Sequence, residues 1–221
     1  MISEAQGSAV CEVAGETLVL LPGKAVFWPA ERTLFVADLH LGKAAAFRAL
    51  AVPVPTGATM DTLTRLSSVI SDVQPLRLCI LGDLWHAQAG RTEGALEQFS
   101  SWRDAHSALD VWLVDGNHDR KCLPLPAHQR VLDVPNGEAL GPFRLFHEPQ
   151  ALSEGYGLAG HLHPGARLVG RAEQSLVLPC FWFGESCAVL PAFGAFTGYG
   201  RIRAKAGDSV FVIAGDSVLR V

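Results

Sequence analysis

No stretch of the 221-residue chain approaches the ~20 consecutive apolar residues that cross a bilayer. The opening MISEAQGSAVCEVAG has no basic segment leading into an apolar one. Neither membrane insertion nor export is expected, and the cytoplasm is the expected location. No two cysteines are spaced CxxC; the five present (Cys11, Cys79, Cys122, Cys180 and Cys187) are odd in number and widely spread. Neither a disulfide framework nor a thiolate zinc site is indicated. Cys79, inside RLCILGD, reads as a small core residue and the others as free thiols. Positive charge is also short: 18 Lys and Arg against 22 Asp and Glu leave a net charge of -4. The broad basic field of most duplex-binding proteins is therefore missing, and any contact with nucleic acid must be local, with metal ions one way to carry it. There is no linker, internal repeat or low-complexity stretch.

What is present is a globular composition, with 49% hydrophobic and 18% charged residues. The length favours one enzyme-sized domain over residues 1–221. CEVAGETLVLLPG reads as a hairpin about Gly15, and AVFWPAERTLFVADLH as a second strand pair that delivers Asp38 at its end. From Thr59 to Val73 the residues Leu63, Leu66, Val69 and Ile70 recur at helical spacing, with Thr56 and Gly57 before them and Pro75 after. LRLCILGD suits a buried strand, TEGALEQFSSWRDAHSA a helix capped by Thr92, and LDVWLVDGN the next buried strand. This alternation is the signature of parallel crossover units. After residue 129 short strands separated by Gly and Pro take over. The expected fold is α/β: two mixed β-sheets packed as a sandwich, one per half of the chain, with helices on the outer faces.

Polar residues follow the apolar runs. They are Asp38 and His40 in ADLHLGK, Asp83 in LGDLWH, Asn117 and His118 in DGNHD, His147 in RLFHE, and His161 and His163 in AGHLHPG. Open α/β sheets bind ligands beyond the carboxyl ends of their strands, so these groups can converge on one crevice. Carboxylate, imidazole and amide oxygen without thiolate suit two divalent ions, with manganese, iron and zinc all compatible. In a two-metal site one carboxylate usually bridges, and Asp83, after Gly82, is the natural bridge.

The ordered series DLH, GD, GNHD, a lone His and GHLH resembles the calcineurin-like metallophosphoesterase superfamily. The finer text DLHLGKAAAFR, VPVPTG, LGDLWH, GNHDR and LPAFGAFTG is similar to the bacterial ligase-associated DNA damage response phosphodiesterases or endonucleases. The resemblance implies that Asp38, His40 and His163 hold a first metal, that Asn117, His147 and His161 hold a second, and that Asp83 bridges them. It implies manganese as the preferred metal and His118 as a non-ligating catalytic histidine. It further implies hydrolysis of a phosphodiester, DNA among the candidates, by in-line attack of a metal-activated hydroxide. An ATP-dependent DNA ligase and a DEXH-box helicase are the implied partners. Gly116 would permit the turn that separates Asn117 from His118, and Asp119 would orient the loop. One departure is informative: protein phosphatases of the superfamily continue GD with a further aspartate and an arginine, whereas Leu84, Trp85 and His86 follow Asp83 here. GDLWH is similar to the GDLFH of double-strand-break-repair nucleases, which makes His86 a candidate catalytic partner of His118.

Several residues carry two readings. Lys43 and Arg48 are candidates to meet substrate phosphate, or cations on a solvated face. Trp85 is a candidate to stack a base, or a buried aromatic beside the site. His106 and His128, without motifs, read as surface or helix-end residues. Gly194, Gly198 and Gly200, with Arg201 behind them, shape either a substrate loop or ordinary turns. The alternative function is a phosphatase or nucleotide hydrolase acting on small molecules, which the acidic net charge favours.

Overall fold

The computed structural model describes residues 6–119, 125–170 and 174–221. In the first sheet the strands stand side by side in chain order, β1 (Ala9–Val13), β2 (Glu16–Leu21), β3 (Ala25–Trp28), β4 (Thr33–Val36), β5 (Arg77–Ile80), β6 (Asp110–Val114) and β7 (Val131–Val134). β1 to β4 are antiparallel hairpins, and β4 to β7 run parallel, so they need crossovers. α2 (Ala58–Val73) supplies the crossover from β4 to β5, preceded by the short α1 (Lys43–Ala49), and α3 (Glu93–Ala105) supplies the next. The apolar stripe of α2 buries Leu63, Leu66, Val69, Ile70 and Val73. At the start of α3 the Thr92 hydroxyl accepts from the Ala95 N–H at 3.3 Å, a cap worth about 1 kcal/mol.

The second sheet holds β8 (Glu138–Leu140), β9 (Phe143–Leu145), β10 (Tyr156–Ala159), β11 (Pro164–Val169), β12 (Ser175–Phe183), β13 (Cys187–Val189), β14 (Gly200–Arg201), β15 (Ser209–Ala214) and β16 (Ser217–Arg220). Within it β9, β10 and β13 are parallel, and the other strand pairings are mostly antiparallel. The two sheets share one core, where Phe35, Cys79, Leu81 and Val114 of the first meet Phe143, Leu158, Phe181, Leu190 and Phe211 of the second. On the outer face of the first sheet α2 and α3 close a separate cluster around Leu66, Phe99 and Trp102. On the outer face of the second, Cys180, Val210 and Val212 form a small cluster with partly buried strand residues.

The two halves of the chain do not divide at residue 129 as the sequence pattern suggests. β7 extends the first sheet, pairing parallel with β6 in the register Val111↔Val131 to Val114↔Val134, and buries Val134 in the shared core. A short strand has the same local pattern in either sheet, and its pairing with β6 is set by contacts distant in the chain. Cys11, Cys79, Cys180 and Cys187 are unpaired, and burial pushes the Cys180 and Cys187 thiols up to about 12 and about 11. The expectation for Cys122 lies outside the described residues. Among the described residues, no helix is long and apolar enough to cross a membrane.

Candidate metal centre

Five parallel strands aim their carboxyl ends at one crevice. Asp38 and His40 follow β4, Asp83 follows β5, Asn117 and His118 follow β6, His147 follows β9, and His161 and His163 follow β10. The segments after β4 and β5 run together beyond the sheet: the N–H groups of Asp38, His40 and Leu41 donate to the carbonyls of Gly82, Asp83 and Leu84 at 3.2, 2.8 and 2.8 Å. Asp38, His40, Asp83, His161 and His163 all have positive φ, from 46° to 67°. Such conformations cost side-chain-bearing residues of order 1 kcal/mol each, and they cluster where geometry serves a site.

Ligand-type atoms form two groups, Asp38 with His40 and His163, and Asp83 with His147 and His161. His40 Nε2 stands 3.3 Å from His163 Nε2, and His147 Nε2 stands 3.0 Å from His161 Nδ1 and 2.8 Å from Asn117 Oδ1. Asp83 reaches both groups, with Oδ2 3.9 Å from His40 Nε2 and Oδ1 3.5 Å from His147 Nε2. A divalent cation fits this donor set. His147 Nδ1 lies 3.1 Å from the Leu81 carbonyl; donating its proton there leaves Nε2 with a lone pair facing the amide oxygen of Asn117. Two acceptors so apposed call for a positive charge between them. Asp38 Oδ1, buried without a hydrogen-bond partner among the described residues, has the same need.

Burial sets the protonation of the centre. It holds the His40 imidazole down at about 2, helped by nearby Lys43, so its ring is neutral as a ligand must be. The Asp83 carboxyl is pushed up by burial against the pull of His147 and of the His118 N–H, which donates to Oδ1 at 3.1 Å. Asp119 is buried beneath, its carboxylate accepting from the N–H groups of Leu84, Trp85 and Gly116 at 3.2, 3.0 and 3.3 Å. It thereby ties the loop after β5 to the loop after β6.

Gly116 is not in the left-handed region, so turn freedom is not its role. The carboxylate and N–H of Asp83 lie where a Cβ would go. His118 stands at the mouth with its side chain 37% exposed, Nε2 3.9 Å from Asp83 Oδ2. The His86 ring stacks on it at 5.0 Å between centroids and 24° between planes, its own pKa lowered to about 4 by burial and then Lys43. Lys43 is half-buried, and its ammonium is attracted by Asp38 and Asp83. Arg48 is turned to its own loop, donating to the carbonyls of Val54 and Pro55 at 3.5 and 3.0 Å.

Trp85 is not a stacking surface. It is 0% exposed and packs edge-on against Phe99 at 5.8 Å, because the residue after Leu84 turns under the crevice into the α3 core. His106 ends α3 and bonds Ser67 Oγ at 2.8 Å, and His128 lies in the 3-10 turn at Ala127–Gln129, so both are helix-end residues. Two neighbours of the centre carried no sequence signal. Asn136 accepts the His147 N–H at 2.9 Å and donates to the Asp115 carbonyl at 2.9 Å. Glu148 Oε1 lies 4.0 Å from His161 Nε2.

No protein-family model and no curated protein matches the chain. Among solved structures it is similar to the Pseudomonas putida nuclease MPE, with 37% identity and a TM-score of 0.85 over 97% of this chain and 100% of that one. A fainter likeness, 14% identity and a TM-score of 0.41 over 86% of this chain and 97% of that one, is to Yfce, a phosphoesterase from E. coli. With its full-length likeness to the nuclease and two groups of metal-ligand type at converging strand ends, the chain belongs to the calcineurin-like metallophosphoesterases, in the family of the Pseudomonas putida nuclease MPE, and is a metal-dependent phosphoesterase.

Proposed function

We propose that the chain is a dinuclear phosphodiesterase that cuts nucleic acid, with DNA as substrate, manganese as the native metal, and DNA repair beside a ligase and a helicase as its setting. Iron or zinc also suits the donor set. Asp83 carries the reading, since a single carboxylate faces both ligand groups at once. Asp38, His40 and His163 would hold one ion and Asn117, His147 and His161 the other. Bound there, two cations supply Lewis-acid charge for phosphoryl oxygens and a nucleophile at neutral pH.

The chain's own residues do the rest. His118, held by its N–H on Asp83, presents its ring to the phosphate and protonates the leaving oxygen or stabilises its charge. His86 keeps that ring in place by stacking, and Lys43 places a cation beside the phosphoryl oxygens. The nuclease character of the Pseudomonas putida relative supports nucleic acid over a small phosphate ester. The unpaired cysteines suit a reducing compartment, and we place the enzyme in the cytoplasm. The test is turnover of bis-4-nitrophenyl phosphate against 4-nitrophenyl phosphate in metal-stripped enzyme resupplied with manganese. A manganese-dependent preference for the diester is expected; preference for the monoester would replace this reading with a small-molecule phosphatase.

A further inference from the structure

The segment from Phe193 to Gly200 joins β13 to β14 and is pinned at both ends to the backbone that carries the first ligand group. At one end the Phe193 N–H donates to Ala37 O at 2.7 Å and the Gly194 N–H to Asp38 O at 3.0 Å. At the other, the Gly200 N–H donates to His163 O at 2.9 Å. Gly194 and Gly200 each lie against a carbonyl, of Leu39 and Leu162 respectively, where a Cβ would collide, so these glycines serve close approach. Between the pins two large aromatic side chains face solvent, Phe196 at 46% and Tyr199 at 49% exposure. Leu162, between the ligands His161 and His163, is 42% exposed. Phe196 sits at φ 57°, a costly conformation for a bulky residue, and lines one small pocket with His40, Lys43 and Thr59.

We propose that Phe196 and Tyr199, with Leu162, form a platform that stacks the nucleobase next to the scissile phosphate and so select base-bearing diesters. The inference rests on the phosphodiesterase reading and deepens it. Phe196 shares a pocket with His40, and Gly200, next to Tyr199, is bonded to His163, so both aromatics stand beside the first ligand group, where a substrate held there by its phosphate would place its neighbouring base. Cations flank it, Lys43 inside and the exposed Arg201 outside, matching the aromatic and basic mixture by which proteins track a nucleic-acid strand. The chain's net charge of -4 makes such local contacts the available means of holding a polyanion.

The test uses full-length, manganese-loaded protein and three substrates: a short oligonucleotide, the same oligonucleotide with one abasic residue, and methyl 4-nitrophenyl phosphate. Wild type is expected to cut beside the abasic residue roughly ten- to hundredfold less efficiently than beside the base. Phe196→Ser with Tyr199→Ser should lose that factor in kcat/KM on the intact oligonucleotide, become indifferent to the abasic residue, and keep the small diester's turnover and the manganese-induced rise in melting temperature. Phe196→Tyr with Tyr199→Phe should restore the base preference and guards against a folding artefact. Wild-type indifference to the abasic residue, or a double Ser variant that still discriminates, overturns the platform. Wild type inactive on every diester would instead overturn the phosphodiesterase reading.

Discussion

Gly160, the glycine of GHLH, packs directly against Ala37 and Asp38 at the end of the first sheet, and replacing it with alanine should damage fold and candidate site together. A Cβ on Gly160 would stand 2.6 Å from Ala37 Cβ, 2.8 Å from Asp38 Oδ2 and 3.1 Å from Leu81 O. The first distance is about 0.8 Å inside the 3.4 Å at which ordinary contact begins, and Ala37 is fully buried in the shared core, so the sheets must part or Asp38 must move. Overpacking of this kind costs about 1–3 kcal/mol. In a chain of this length that lowers the melting temperature by roughly 2–4 °C for each kcal/mol. Pushing the Asp38 carboxylate by about 0.6 Å should also cost roughly ten- to hundredfold in activity, since a 1 Å misplacement costs about a hundredfold. Gly94→Ala is the matched control: it lies in the first turn of α3 with nothing within 4 Å of the added methyl, so it should be neutral or stabilising by up to about 1 kcal/mol. Thermal melting of the metal-free proteins reads the loss of stability, and manganese titration and diester turnover read the displacement of Asp38. Unchanged melting and manganese affinity in Gly160→Ala would refute the reasoning, as would equal damage from Gly94→Ala.

Asp119→Ala leaves three buried N–H groups without their acceptor and should cost about 3 kcal/mol or more in stability, seen by denaturant unfolding, with manganese affinity falling as the two loops separate. Full stability would show that the carboxylate is not the tie between them. His118→Asn should keep the manganese-induced thermal shift and lose at least a hundredfold in turnover, whereas Asp83→Asn should lose the shift as well; a fully active His118→Asn enzyme would remove His118 from the chemistry. The metal-free protein should lose stability as pH falls from about 6.5 towards 4, because burial holds the His86 imidazole down to about 4 and that of His40 lower still, so the unfolded chain binds protons there that the folded chain does not. Denaturant unfolding at about pH 7 and about pH 5 reads the loss, and equal stability at both would show that these rings are not held neutral.

The convergence of most of the candidate centre was legible in the sequence because chain order imposes it. A parallel strand ends where its apolar run ends, and the polar residue just beyond meets the crevice. Asp38, Asp83, Asn117, His118, His147, His161 and His163 all follow such runs. The helices were legible for a similar reason, since the spacing of Leu63, Leu66, Val69 and Ile70 is local information, as is the Thr92 cap.

What stayed hidden depends on what stands opposite a residue in space. Trp85 follows a site aspartate by only two positions, yet it points into the α3 core. Gly116 looks like a turn residue and is in fact excluded from bearing a side chain by Asp83, 33 positions earlier in the numbering. Asn136 looks like half of a turn and holds the backbone of His147. β7 has the pattern of the later strands and belongs to the earlier sheet. The sequence by itself determined which residue types arrive at the strand ends and in what order, because alternation, helical spacing and apolar runs are properties of neighbours along the chain. The tertiary structure alone decided the left-handed backbone of the ligand segments, the reach of Asp83 to both groups, and the exposure of Phe196 and Tyr199. Each of these is a balance between local cost and contacts made by residues distant in the chain.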